Sequence, residues 1–400
     1  MKRRLIIFLL MTVIGTVAFG QLKPYDADFT LSKKHFVTTI PIEIERGQIY
    51  LSVEIDGRKY RFKLDTGASQ GVVYDDVSLE DIRELGFIKS EDATGQSRQV
   101  KTVELPPFTI GELTVSGFKV QQMKRNIVRK GEDGIIGFAL FHKGIATKID
   151  TREQTMTLTD SKSLYKKETG EVLKYTLKRH VPYIKVSPFE GQEEEALFDT
   201  GSRMPFAVNA QSFERMAADN LLVQQQIEGT TYGSQAIGHF GSERSNKITL
   251  LAIERLKIGG FEMREIHAAT VQGNSHIGMP LLNYGAMIIN PFRRQLVFQP
   301  YDGATSCVIA NRRADVVVVE RNGHAMIGMV MEQGRAYAVG FRPGQVIEKV
   351  DGTPVSFEEF NRYRWVKDHT YEFTIRMGRG IRTTIRAFWP LYYNQLSQQE

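Results

Sequence analysis

The sequence predicts a mainly β protein in which two similar lobes are followed by a smaller β unit. Short apolar stretches rich in β-branched residues recur along the 400 residues, and glycine-containing turns separate them. An apolar stretch that ends in Asp-Thr-Gly occurs twice, at residues 62–67 and 196–201, so the two aspartates are 134 residues apart. The same 134 residues separate Gly57 from Gly191, which are both expected at hairpin turns.

The repeat continues beyond these motifs. Residues 134–137 read Gly-Ile-Ile-Gly and residues 275–278 read Ser-His-Ile-Gly, and Ile149-Asp150 is matched by Ile289-Asn290. Similarity at a fixed spacing indicates a duplicated structural unit. The expected units are a signal peptide at residues 1–20, lobe 1 at 21–160, lobe 2 at 161–302, and a linker with the smaller unit at 303–400.

Residues 1–20 have the pattern of a secretory signal peptide. Basic residues at positions 2–4 precede an apolar run from Leu5 to Phe19, and Ala18-Phe19-Gly20 is a small-x-small cleavage site. The apolar run is shorter than the roughly 20 residues that span a bilayer. Export to the periplasm or the medium is therefore expected, and an uncleaved N-terminal anchor is the alternative.

Charge and residue types exclude several functions. The net charge of +6 falls to about +3 without the signal peptide, which is too small and too dispersed to favour nucleic acid. The eight histidines include no His-Glu-x-x-His pattern and no Cys/His cluster, so no metal and no other cofactor is expected. The single cysteine, Cys307, permits no internal disulfide and is expected to be an inert buried thiol.

In lobe 1, strands are expected over residues 36–45, 48–55 and 60–64, with a hairpin turn at Asp56-Gly57. The polar residues 91–103 are expected to form a hairpin over the site.

A helix is expected after the first Asp-Thr-Gly motif. Ser78 is a candidate N-cap, Leu79, Ile82 and Leu85 would share one face, and Gly86 would end the helix.

Lobe 2 is expected to repeat this order after a polar linker at residues 161–171. A helix is expected over residues 212–222, and the glycine-rich stretch 228–243 contains Tyr232-Gly233, a candidate flap tip. The remaining expected elements are a second linker at 300–314, strands at 316–319, 325–331, 346–350 and 371–377, and a helix at 356–365.

The paired motifs point to acid–base chemistry. A carboxylate at the end of an apolar strand is costly to bury, and two that lie side by side cannot both be ionised. Such a pair holds one proton, so the ionised member can activate a water while the protonated member donates to a carbonyl oxygen. Ser202 follows the second motif and Ala68 the first, so Asp199 is expected to be the ionised member and Asp65 the protonated one.

These residues resemble the lobe signature of aspartic peptidases, and most of all that of bacterial exported retropepsin-like aspartyl proteases, over residues 36–302. The resemblance implies a two-lobed barrel fold, a peptide or protein substrate and a site complete in one chain, active as a monomer. The implied roles are catalysis by Asp65 and Asp199, a grip between the lobes by Thr66 and Thr200, active turns with Gly67, Gly201 and Ser202, and supporting loops at Gly137 and Gly278.

Residues 335–352 resemble part of a PDZ domain, reading Arg-Ala-Tyr-Ala-Val-Gly-Phe-Arg-Pro-Gly-Gln-Val-Ile-Glu-Lys-Val-Asp-Gly. PDZ domains bind the C-terminal segment of a peptide as an added strand. The candidate binding residues are Ile327, Gly328 and Met329, and the alternative is a PDZ fold that only packs on the lobes.

Two functions from different classes remain. The first is an aspartic endopeptidase with a docking PDZ domain, and the second is a catalytically silent peptide-binding adaptor of the same fold. Two aspartates also serve glycosidases, but the symmetry of the two motifs speaks against that chemistry.

Overall fold

A computed structural model describes residues 27–125 and 131–393, so the predicted signal peptide lies outside the described residues. Strands make up 53% and helices 10% of the structure, which confirms the mainly β class. No helix within the described residues is both long and apolar enough to span a membrane.

Within residues 27–125 and 131–160, lobe 1 contains many short strands and one short helix. Its elements are β1 Thr30–Leu31, β2 Val37–Pro41, β3 Glu43–Glu45, β4 Gln48–Ile55, β5 Arg58–Asp65, β6 Gly71–Tyr74, β7 Arg83–Glu91, β8 Ser97–Glu104, β9 Phe108–Ile110, β10 Leu113–Ser116, β11 Lys119–Met123, β12 Gly134–Gly137, α1 Ala139–His142, β13 Ala146–Asp150 and β14 Thr155–Thr159.

Lobe 2 contains longer strands and two helices. Its elements are β15 Glu171–Lys178, β16 Val181–Phe189, β17 Gln192–Asp199, β18 Phe206–Asn209, α2 Ala210–Ala217, α3 Leu221–Gln224, β19 Ile227–Gly233, β20 Ile237–Gly238, β21 Gly241–Ser242, β22 Asn246–Ile258, β23 Phe261–Val271, β24 His276–Gly278, a 3-10 helix Met279–Asn283, β25 Gly285–Asn290, β26 Gln295–Pro300 and a 3-10 helix Tyr301–Gly303.

Residues 304–393 contain a smaller sheet, several other short strands, two α-helices and one 3-10 helix. Its elements are β27 Ser306–Val308, β28 Arg313–Ala314, β29 Val316–Arg321, β30 His324–Val330, α4 Arg335–Ala338, β31 Val346–Val350, β32 Thr353–Pro354, α5 Phe357–Arg362, β33 Thr370–Arg376, a 3-10 helix Gly378–Gly380, β34 Arg382–Phe388 and β35 Tyr392–Tyr393.

The same strand order occurs in both lobes. In lobe 1 the neighbours run β4-β5-β12-β6-β11-β8-β7, and in lobe 2 they run β16-β17-β24-β18-β23-β22-β19. The motif-bearing strand β5 corresponds to β17 in this order. The duplication inferred from the residue spacing is therefore present in the sheet topology.

The two copies meet in a shared sheet. Strand β13 of lobe 1 pairs antiparallel with β25 of lobe 2, with Thr147 opposite Ile289 and Ile149 opposite Met287. Most buried apolar side chains of both lobes belong to one contiguous core, whereas those around Phe341 form a separate core in the smaller unit. The shared sheet and core hold the two Asp-Thr-Gly turns at fixed positions.

The helix expected from Ser78 to Gly86 is wrong. Asp81 has a φ of +60°, and the chain from Arg83 onward is strand β7, which pairs with β8. Exposed and partly buried residues alternate from Phe87 to Glu91, as in a strand with one solvent-facing side. Pairing with β8 outweighs the weak helical spacing of the three apolar residues. The helix expected at residues 212–222 is present in shorter form as α2 and α3.

The segment expected as a second linker packs on lobe 2. Strand β27 pairs with β23, and burial raises the pKa of the Cys307 thiol in it to about 11, as expected for an inert thiol. Arg313 is buried, ion-pairs with Glu228 at 2.5 Å, and donates to the carbonyl of Leu251 at 2.6 Å. The smaller unit is therefore anchored to lobe 2 by a buried charge pair.

Candidate active site

Asp65 and Asp199 end equivalent strands. Asp65 is the last residue of β5 and lies beside Gly137 of the parallel strand β12. Asp199 is the last residue of β17 and lies beside Gly278 of the parallel strand β24. Each aspartate therefore sits at a turn between two strands of its own lobe, facing the other lobe.

Reciprocal hydrogen bonds join the two turns. The backbone N–H of Thr66 donates to Thr200 Oγ1, and the N–H of Thr200 donates to Thr66 Oγ1, both at 3.0 Å. Each hydroxyl donates in turn across the lobes, from Thr66 to the Phe198 carbonyl at 2.6 Å and from Thr200 to the Leu64 carbonyl at 2.9 Å. Both threonines are fully buried. These four bonds fix the distance between the aspartates.

The glycines after the threonines allow the carboxylates to approach. A Cβ on Gly67 would lie 2.5 Å from Asp199 Oδ1, and a Cβ on Gly201 would overlap the Asp65 carboxylate. Each carboxylate thus lies directly over the backbone of the opposite turn. Any side chain at either glycine would separate the two acids.

Gly137 and Gly278 support the turns from behind. A Cβ on Gly137 would lie 2.7 Å from the Ala68 carbonyl oxygen, and one on Gly278 would lie 2.6 Å from the Ser202 carbonyl oxygen. The N–H of the residue after each glycine donates to the same carbonyl, at 2.7 and 2.9 Å. The two lobes therefore buttress their aspartates in the same way.

The Asp65 carboxylate accepts two backbone hydrogen bonds and lies beside an ammonium group. Its Oδ1 accepts the N–H groups of Gly67 at 3.0 Å and Ala68 at 3.1 Å. Its Oδ2 lies 2.9 Å from Nζ of Lys63, whose side chain is 1% exposed. The sequence analysis did not single out Lys63. The available signal for Lys63 was its position two residues before a motif aspartate in an otherwise apolar strand. Residues two apart in a strand lie on the same face.

Asp199 lies in a less favourable environment for a charge. Its Oδ1 accepts the N–H of Gly201 at 2.8 Å. Burial and the neighbouring Asp65 carboxylate raise the pKa of Asp199 to about 7, although Lys63 and the Gly201 N–H act in the opposite direction. These surroundings favour the proton on Asp199 and the negative charge on Asp65.

The expectation that Asp199 is the ionised member is therefore wrong. It rested on a hydrogen bond from Ser202, but Ser202 Oγ accepts the N–H of Met204 at 3.2 Å. The backbone N–H groups and the ammonium group beside Asp65 are the larger set of donors. These groups favour the charged form of Asp65 over the charged form of Asp199.

A hairpin of lobe 1 contacts lobe 2. Strands β7 and β8 form the hairpin, and at its turn Asp92 Oδ2 accepts the N–H of Phe240 at 2.8 Å. Arg98 donates to the Phe240 carbonyl at 3.0 Å, and Gln96 donates to the Ser242 carbonyl at 3.1 Å. The hairpin expected over residues 91–103 is thus held against the small β20–β21 hairpin of lobe 2.

The candidate flap tip Tyr232-Gly233 is not at a hairpin tip. Both residues lie in strand β19, paired with Lys247 and Asn246 of β22. The N–H of the next residue, Ser234, donates to the Gly328 carbonyl of the smaller unit at 2.9 Å. The composition resembles a flap, but the strand instead contacts the C-terminal sheet.

The candidate peptide-binding residues Ile327, Gly328 and Met329 do not form a free edge. Their strand, β30, lies between β29 and β31, and all three are buried. The carbonyl of Gly328 is already bonded to lobe 2. An added strand at these residues would have to displace existing partners. The edge strands of this sheet are β29 and β34, and Ser242 of lobe 2 donates to the Glu320 carbonyl of β29.

Among the described residues, no group of three or more His, Cys, Asp and Glu side chains is arranged to hold a metal ion.

Comparisons with known proteins give one partial family match and several similar solved structures. A family profile described as aspartyl protease matches residues 51–140, which include Asp65. No curated protein sequence matches the chain. The solved structures that are similar to it include basic 7S globulin from soybean, with a TM-score of 0.42, 10% identity, and coverage of 66% of this chain and 95% of that one. They also include an aspartic proteinase from Irpex lacteus, with a TM-score of 0.43, 12% identity, and coverage of 68% and 99%.

Proposed function

We propose that this protein is an aspartic endopeptidase, in which Asp65 and Asp199 together hydrolyse peptide bonds. The observation that carries the proposal is the reciprocal bonding of Thr66 and Thr200, which brings the two carboxyl groups face to face at equivalent turns. The match of residues 51–140 to an aspartyl protease family supports it for lobe 1.

The geometry suits a water held between two acids in opposite protonation states. The ionised carboxylate takes a proton from the water as the water attacks the peptide carbonyl carbon. The protonated carboxyl group donates its hydrogen to the carbonyl oxygen, which becomes a hydroxyl of the tetrahedral intermediate. The first carboxyl group then gives its proton to the amide nitrogen while the second carboxylate takes a proton from a hydroxyl of the intermediate. The C–N bond breaks, the amine and the carboxylic acid are released, and both carboxyl groups return to their starting protonation states.

The proposal is tested by incubating the full chain with a diverse mixture of peptides and identifying new termini by mass spectrometry. Cleavage that a statine-type transition-state mimic inhibits is the expected result. The same mimic is expected to raise the melting temperature, because a ligand selective for the folded state stabilises it. A shift of the melting temperature without cleavage would favour the peptide-binding adaptor. The absence of both the shift and the cleavage would reject both functions.

We also propose that residues 313–393 act as a PDZ-like docking domain for longer substrates. Edge strand β29 and the nearby helix α5, which begins with a capping box at Ser356 and Glu359, support this. A chain truncated after Ala314 keeps the buried Arg313–Glu228 pair. It is expected to retain cleavage of short peptides and to lose efficiency on long ones. Equal efficiency on both would leave only a packing role.

The setting proposed for this activity is outside the cytoplasm, with one chain sufficient for one site. Both aspartates come from the same polypeptide, so specific activity is expected to stay constant on dilution. A steep fall on dilution would mean that the lobes pair between chains. Detection of the protein in the periplasm or medium of its source cells would test the export proposal.

A further inference from the structure

The duplicated motif is asymmetric at one buried position. Lys63 lies two residues before Asp65, and Leu197 lies two residues before Asp199. Both side chains are buried, at 0% and 7% exposure. One lobe therefore carries an ammonium group where the other carries a hydrocarbon side chain.

The ammonium group is paired with one aspartate. Lys63 Nζ lies 2.9 Å from Asp65 Oδ2, and the two side chains are 1% and 13% exposed. A charged lysine is costly to remove from water unless an opposite charge compensates it. Asp65 in its ionised form supplies that charge. Moving the proton to Asp65 would place the negative charge on Asp199 and remove the carboxylate charge 2.9 Å from the ammonium group.

The titratable side chains directly opposite or beside Lys63 and Leu197 are neutral at neutral pH. Tyr50 on β4 lies opposite Lys63, and Tyr183 on β16 lies opposite Leu197. Burial raises the pKa of both tyrosines and lowers the pKa of His276, which lies beside Leu197 on β24. Strand β12 contributes Ile135 beside Lys63.

More distant charges act on the tyrosines. Arg61, Arg203, Glu45 and Glu132 act electrostatically on Tyr50, and Arg179, Glu91 and Glu195 act on Tyr183. Each tyrosine is therefore influenced by both positive and negative charges. Lys63, by contrast, is a cation in direct contact with the Asp65 carboxylate.

We propose that Lys63 is a positioning residue that decides which member of the pair is ionised, so that Asp65 carries the negative charge and Asp199 keeps the proton. With one proton on the pair, the three groups together are electrically neutral, which suits a buried site. The general-base role of Asp65 and the acid role of Asp199 rest on the proposed function. The assignment of the negative charge to Asp65 and the proton to Asp199 does not depend on the proposed function.

Thermal unfolding at pH 6, below the pKa of about 7 of Asp199, tests the charge distribution without any assay of activity. Asp65→Asn strands the buried ammonium and is expected to lower the melting temperature by roughly 5–15 °C. Asp199→Asn keeps the Lys63–Asp65 pair and is expected to leave the melting temperature unchanged or higher. Equal shifts for the two variants would overturn the proposal.

A double variant separates the ion pair from other effects of the substitution. Lys63→Met with Asp65→Asn removes both charges and is expected to recover most of the loss seen with Asp65→Asn alone. Lys59→Met, an exposed lysine of the same strand, is the matched control and is expected to shift nothing. Failure of the double variant to recover stability would contradict the pairing.

The pH profile of peptide cleavage tests the consequence for catalysis. Lys63→Met removes a cation that favours ionised carboxylates, so both limbs of the kcat/KM profile are expected to move up by about one pH unit. Lys63→Arg keeps the charge and is expected to keep the limbs near their wild-type positions. Unmoved limbs in Lys63→Met would overturn the positioning role. If the wild type cleaves no peptide, the proposed function fails. The unfolding comparison still decides whether Asp65 carries the charge that pairs with Lys63.

Discussion

The backbone N–H of Thr66 donates to the hydroxyl of Thr200, and the N–H of Thr200 donates back to the hydroxyl of Thr66, both at 3.0 Å. Because each hydroxyl also donates to a carbonyl of the other lobe, the two Asp-Thr-Gly turns form one hydrogen-bonded unit. This unit sets the separation of the two carboxyl groups, on which the proposed chemistry depends.

Removing one threonine hydroxyl is therefore expected to be costly. Thr66→Val keeps the shape but leaves the buried Thr200 N–H and Phe198 carbonyl without partners, which should lower the free energy of unfolding by about 2–4 kcal/mol. Thr200→Val should cost about the same. Denaturant unfolding measures both, with exposed Thr39→Val as the control. A change below about 0.5 kcal/mol would contradict the structural role.

The raised pKa of Asp199 makes a prediction about stability and pH. Between its ordinary value of 3.8 and about 7, Asp199 is protonated in the folded chain and ionised in the unfolded chain. Unfolding then releases a proton, so stability falls as pH rises across this window, by up to about 1.4 kcal/mol per unit. Asp199→Asn lacks this dependence. Its free energy of unfolding, minus that of the wild type, should rise from pH 4 to 7 and then level off; a flat difference would contradict the raised pKa.

The lobe 1 hairpin is expected to loosen when Asp92 is replaced. Asp92→Ala removes the acceptor for the Phe240 N–H and for N–H groups within its own turn. Faster hydrogen exchange is expected in residues 92–97 and 237–242, together with a higher KM for peptides. Asp219→Ala, on an exposed turn of lobe 2, is the control. Unchanged exchange in both segments would show that the contact does not hold the hairpin.

The contact between lobe 2 and the smaller unit is expected to depend on Gly233. A Cβ there would overlap the Gly328 carbonyl, so Gly233→Ala should weaken the docking of the C-terminal sheet and expose residues 303–315 to proteolysis. Gly229→Ala lies in the same strand with open space around its Cβ and is the matched control. Equal proteolysis of both variants would argue against this interface.

Most of the fold followed from short-range patterns in the sequence. Strand β4 covers the expected residues 48–55, and Asp56 and Gly57 have the positive φ angles of a tight hairpin turn. The fixed spacing of the motifs predicted two equivalent units. These features depend on neighbouring residues or on repetition, both of which a single sequence displays.

Two errors came from long-range partners. Residues 83–91 became a strand because β8 lies beside them, and Tyr232-Gly233 became an interface strand because the C-terminal sheet packs there. The third error was local. A hydrogen bond from Ser202 to Asp199 was expected because the residues are close in sequence, whereas the charge that matters lies beside Asp65 and comes from Lys63 on the same strand face. Local patterns do not show which distant groups complete a strand or a site.

The most direct test of the central claim is the cleavage rate of one identified peptide by the wild type, Asp65→Asn and Asp199→Asn. Each asparagine removes one of the two protonation states that the reaction needs, so kcat/KM should fall at least a thousandfold in both variants, roughly 4 kcal/mol of transition-state stabilisation. Circular dichroism at a temperature below the melting point of every variant would show that each is folded. Substantial cleavage by either folded single variant would contradict a shared site built from both aspartates.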